Sequence, residues 1–215
     1  MSQDAWQLRA ARCYDDATFG GRPELVAEGE RELDAVEADL ALARGKLLHA
    51  RFLDSRDNPD ERELALFEKA AGLYRKLDDR AKLADALFWM GCCHQVVLDD
   101  ESTALDFFHE SYDLAAEVGA GLVRSFAVRH LGFAALSTGE LELARTRFAE
   151  SLRLREDVGA APPVVAAAII PLAALADQCG EYAQAEELYA RAHRIAEDNG
   201  AVGVLGWIEQ ARATS

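Results

Sequence analysis

The feature that most constrains the fold of this chain is a repeat of about 41 residues. Aromatic side chains recur at Phe67, Phe108, Phe148 and Tyr189, spaced 41, 40 and 41 residues apart. Small residues recur at Ala50, Gly91, Gly132 and Ala173, each 41 apart, and again at Ala70, Ser111, Ser151 and Ala192. Glycines placed to end helices stand at Gly119, Gly159 and Gly200, with Asp78 in the equivalent position. A period of this length belongs to an array. One unit is too short to bury its own apolar face, so neighbouring units bury it by stacking.

Each period predicts a helical hairpin. SFAVRHLGFAALS reads as one helix, TGE as a turn and LELARTRFAESLRLREDVG as the second helix; IIPLAALADQ, CGE and YAQAEELYARAHRIAEDNG repeat the scheme. Gly139 and Gly180 fall in the turns, where glycine adopts a positive φ at least cost. Only five prolines interrupt long runs of Ala, Leu, Glu and Arg, and no segment alternates apolar and polar residues for long enough to make a strand. The expected organisation is one all-α domain over 1–215. It has a divergent N-terminal hairpin over 1–37, repeats over 38–79, 80–119, 120–160 and 161–200, and a capping helix over 201–215. Pro23 suits a helix start. VGVLGWIEQARA has no partner helix after it, so Trp207 is expected to cover the last apolar edge.

Charge narrows the partners. With 38 acidic and 23 basic residues the formal net charge is −15, which repels nucleic acid and anionic lipid unless cations are segregated. The Lys and Arg residues are scattered along the sequence, so neither partner is expected. MSQDAWQLRAARC lacks the apolar core of a signal peptide. The most apolar run, Val164 to Ala176, falls short of the ~18–20 residues that span a bilayer. Four cysteines without a disulfide-framework spacing fit a reducing cytoplasm.

The repeats resemble the tetratricopeptide repeat. Leu87, Val128 and Ile169 stand at that family's apolar position 4, Met90, Leu131 and Leu172 at position 7, and Gly91, Gly132 and Ala173 at position 8. Ala104, Ala144 and Ala185 follow near position 20. The resemblance is strong over 84–200 and weaker over 38–79. The chain departs from the family in its 40–41-residue period, against 34, and in lacking the proline that ends the second helix. Long repeats of this kind resemble the sensor regions of large bacterial transcriptional regulators. The resemblance implies a right-handed α-solenoid of stacked antiparallel hairpins, with a concave face that binds partners.

WMGCCHQ, Trp89 to Gln95, tests whether chemistry is present. In the repeat register Cys93 aligns with Phe52, Ala134 and Leu175, so it reads as a small core hydrophobe. Successive helical side chains diverge by about 100°, which keeps Cys92, Cys93 and His94 from converging on one tetrahedral metal. A disulfide between adjacent helical cysteines is strained. The five histidines form neither HExxH nor a Cys/His metal spacing, and there is no GxSxG or phosphate loop. No catalytic residue, metal or cofactor is expected.

The resemblance assigns positions 2, 5, 9 and 12 of each first helix to the concave face. In this chain these are Arg44, Leu47 and Arg51; Asp85, Phe88, Cys92 and Gln95; Phe126, Arg129, Phe133 and Leu136; and Ala167, Ile170, Ala174 and Asp177. Such a face is apolar and aromatic with isolated arginines. It suits an apolar peptide, or a small amphipathic anion whose carboxylate meets arginine. Pro171, inside an apolar helix, is expected to loosen or kink it. The leading expectation is a non-catalytic scaffold or adaptor for a protein or peptide partner, as a monomer or homodimer. The alternative is a small-molecule sensor or regulatory subunit, and an enzyme ranks behind both.

Overall fold

The computed structural model describes residues 5–214, which form ten helices and no strand. They fall into two compact units that divide after Ala104. The first holds α1 (Ala5–Thr18), α2 (Leu25–Ser55), α3 (Arg62–Leu77), α4 (Arg80–Val96) and the start of α5 (Glu101–Glu117). The second holds the rest of α5, then α6 (Gly121–Ser137), α7 (Leu141–Asp157), α8 (Pro162–Gln178), α9 (Tyr182–Asp198) and α10 (Val202–Thr214). In the first unit α1 packs on α2, α2 on α3 and α3 on α4. In the second, α6 packs on α7, α7 on α8, α8 on α9 and α9 on α10. The fold is all-α, with the sequential packing of an α-solenoid.

Local chemistry sets the hairpins. Helices α4 to α9 are each 17 residues long. Gly139 and Gly180 sit in the α6–α7 and α8–α9 turns, both with φ of 79°. Asp78 ends α3 in the same left-handed region, φ 57°, and donates its amide hydrogen to the last carbonyls of that helix. Asp is among the few non-glycine residues that visit this region readily.

Phe67, Phe108 and Phe148 are fully buried and Tyr189 nearly so. The small residues admit them. A methyl group on Gly132 would stand 2.6 Å from the Phe148 ring, and one on Gly45 would stand 2.4 Å from the Phe67 ring. The second contact corrects the register of the first clear repeat. Gly45, not Ala50, takes the role of Gly132, and Ala50 is exposed while Gly91, Gly132 and Ala173 are buried. The cause is α2, an unbroken 31-residue helix that passes through the boundary expected at residue 38 and overruns its small residue before ending at Ser55.

α8 continues through the buried Pro171 to Gln178; a proline removes one helical hydrogen bond, and packing on α7 and α9 holds the remainder. One other expectation changes. The apolar end of the second unit is covered by Val204 and Ile208 of α10, packed on Ala166, Ile169, Ala173, Tyr189, Ala192 and Ala196. Trp207 is 54% exposed instead. Among the described residues, no helix is long and apolar enough to cross a membrane.

Candidate functional site

The second unit gathers six of the expected concave-face residues. Phe126 and Arg129 of α6 and Ala167 of α8 line a cavity of about 300 Å³, walled on one side by Val204 and Trp207 of α10. Arg129, Phe133, Ala167, Ile170 and Ala174 line an adjoining cavity of about 220 Å³, which also borders Pro171, Trp207 and Ala211. Arg129, Ala167 and Trp207 belong to both, so the two form one groove between α6, α8 and α10. Helical periodicity explains the set: steps of three and four residues keep Phe126, Arg129 and Phe133 on one face of α6, and Ala167, Ile170 and Ala174 on one face of α8.

The groove floor is aromatic and cationic. The Arg129 guanidinium lies 5.7 Å from the centre of the Phe133 ring, and Phe133 meets the core Phe148 edge-on at 5.0 Å. Phe133 therefore bridges core and groove while staying 39% exposed. The structure adds a residue that no concave-face position supplies. Arg155 of α7 lines the larger cavity and is 2% exposed. Burial, then the charge of Arg129, push its guanidinium down to about 9, which leaves it charged at neutral pH. A signal for it existed in the repeat: Arg155 follows Phe148 by seven residues, where the other units carry Tyr74, Ala115 and Ala196.

The remaining expected positions do not join this groove. Leu136 packs beside the Phe148 core, and Asp177 lies near Arg212, whose guanidinium it helps to stabilise. In the first unit Phe88 and Cys92 are buried, so neither presents an open surface or an accessible thiol. Asp85 accepts hydrogen bonds from Lys46 at 2.6 Å and from the Trp89 indole at 3.0 Å. Gln95 donates to the Glu101 carboxylate at 3.1 Å. Arg44, Leu47 and Arg51, displaced by the α2 register, line a separate cavity of about 490 Å³ between α2 and α3. Arg62 and Lys69 border it too, so four cations that are scattered in the sequence share one basic-rimmed cleft. Arg62 is held by Asp60 and Lys69 by Glu37.

Sequence reasoning also missed a buried polar cluster in the first unit. His49 Nδ1 lies 2.8 Å from the Glu63 carboxylate, and both residues are almost fully buried. Cys93 stands beside them. Burial first, then the Glu63 carboxylate, push its thiol up to about 12. Trp89 closes the cluster with edge contacts to His49 and stacking on Phe67. No cavity opens on it among those described, and a neutral, buried thiol is a poor nucleophile.

No protein-family model matches the chain, and no curated protein matches it. Among solved structures it is similar to the crystal structure of BtubC (BKLC) from P. vanneervenii, at 15% sequence identity over 91% of this chain and 92% of that one, with a TM-score of 0.52. At that identity the likeness concerns the fold alone.

Proposed function

We propose that the chain is a non-catalytic binding module, a cytoplasmic scaffold that docks an apolar segment of a partner polypeptide in the groove between α6, α8 and α10. One observation carries this reading. Three helices bring Phe126, Arg129, Phe133, Ala167, Ile170 and Trp207 to two adjoining cavities, each of a size to receive apolar side chains, with Phe133 and Trp207 exposed at the surface. Aromatic and arginine side chains around apolar pockets dominate binding energy at protein interfaces, and the resemblance to tetratricopeptide repeats points to the same use. The test is partner capture from a lysate by wild type and by a Phe133→Ala/Trp207→Ala variant with unchanged helical content. A polypeptide held by the first and lost by the second supports docking here; equal capture moves the binding surface to another face.

A second reading, a small-molecule sensor, is favoured by the larger of the two cavities in this groove. Its volume lies at the lower end of the range for small-ligand sites, and Arg155 places a buried charge on its wall. It predicts thermal stabilisation by a metabolite without any protein partner.

A further inference from the structure

The α6–α8–α10 groove contains a charge that the rest of the repeat pattern does without. Tyr74, Ala115 and Ala196, at the positions equivalent to Arg155, are buried packing residues. Arg155 is as buried as they are, yet it is a cation. Its Nε donates to Ser125 Oγ at 3.2 Å and its Nη1 donates to the Val164 carbonyl at 2.6 Å. The guanidinium carbon lies 4.8 Å from the centre of the Phe126 ring. Nη2 has no acceptor among the described residues, and no carboxylate there forms an ion pair with Arg155. In a chain of net charge −15, a buried cation without a carboxylate is not for want of acids. Desolvating a guanidinium is costly, and packing alone gives no return for it. A second cation, Arg129, lines the same cavity.

We propose that Arg155, with Arg129 beside it, is the anion-recognising element of this groove and that its ligand is a carboxylate borne on an apolar body. The inference rests on the reading of the groove as the binding surface. The walls argue for a carboxylate over a phosphate. Phe126, Pro163, Val204 and Trp207 are apolar, and α8 begins with two prolines that lack amide donors while the Val164 and Val165 amides donate to the Ala161 carbonyl, so its first turn offers no free amide to phosphate. A planar guanidinium matches a carboxylate edge to edge. The carboxylate belongs either to a free organic acid or to an acidic side chain flanked by apolar residues in a partner.

The test is titration calorimetry with three probes: 4-phenylbutyrate, its uncharged amide, and a blocked, amidated tripeptide with glutamate between two apolar residues. The proteins are wild type, Arg155→Met and Arg129→Met. Arg155→Met restores a packing residue like those of the other repeats, and its folding is checked by thermal unfolding; Arg129→Met alters a side chain less buried than Arg155 and serves where the first variant fails to fold. A charged probe is expected to bind wild type at least tenfold more tightly than the amide, and to lose at least tenfold in either folded variant. Binding by the free acid alone identifies a small-molecule source, and binding by the tripeptide alone a polypeptide one. Equal binding of acid and amide overturns anion recognition and leaves the apolar groove standing. Wild type that binds neither charged probe, or an Arg129→Met protein that binds them unchanged, overturns the inference, while the groove itself is judged by the Phe133/Trp207 capture.

Discussion

Glu63 places a carboxyl group in the core of the first unit with His49 at hydrogen-bond distance. Removing one member of a buried pair strands the other, at a cost of about 3–5 kcal/mol. Glu63→Ala is therefore expected to lower the unfolding free energy by about that amount in denaturant titration, and His49→Ala to add little once Glu63 is gone. Cys93 gives a pH signature. Its folded pKa, about 12, is above the ordinary thiol value of 9.0, so the folded state holds the proton more tightly than the unfolded one. The stability this confers is complete below pH 9 and is lost as pH rises from there through about 12, at no more than about 1.4 kcal/mol per pH unit. Wild type should lose stability faster than Cys93→Ala over that window, and a parallel decline in both proteins would contradict the assignment. The repeat register made the burial of Cys93 legible, because its counterparts are apolar. The partnership with Glu63 was not legible, since that residue lies 30 positions earlier and meets it only across packed helices.

Among the helices, the contact between Gly132 and Phe148 joins α6 to α7. Gly132→Ala forces the ring to move and should cost about 1–3 kcal/mol by overpacking, while Phe148→Ala should cost about 3–5 kcal/mol by leaving a cavity. The two changes should not add, because a methyl group at Gly132 clashes only while the ring is there; thermal unfolding of the double variant checks this. Helices α4 to α9 were readable from the sequence because each hairpin repeats its aromatic, its small residue and its turn. α2 was not, because LVAEGERELDAVEADLALARGKLLHARFLDS contains no proline to stop one helix before the next begins, and its one cap-like pair, Asp34 and Glu37, lies inside the continuous helix. The repeat period supplied a boundary that the local chemistry does not enforce. That slip misplaced Arg44 and Arg51 while leaving Phe126, Arg129 and Phe133 in place.

For the molecule as a whole, the groove is an assembly of residues from Phe126 to Ala211, drawn together by stacking. Its α6 and α8 walls follow from the repeat and were legible. Its third wall and its buried cation lie where the repeat is broken, at α10 and at Arg155, so periodicity alone was silent about them. α10 uses Val204 and Ile208 to seal the core and Trp207 and Ala211 to line the groove. Amide hydrogen exchange in α10 should therefore slow when a charged probe binds, and exchange in α1 should not change. Solenoids are usually free to grow or shrink by whole repeats, because each unit meets only its neighbours. This one has surrendered that freedom at its C-terminal end. A further hairpin inserted before α10 would keep the core sealed but carry Trp207 away from Arg129, so the number of hairpins before α10 sets whether the groove has its third wall.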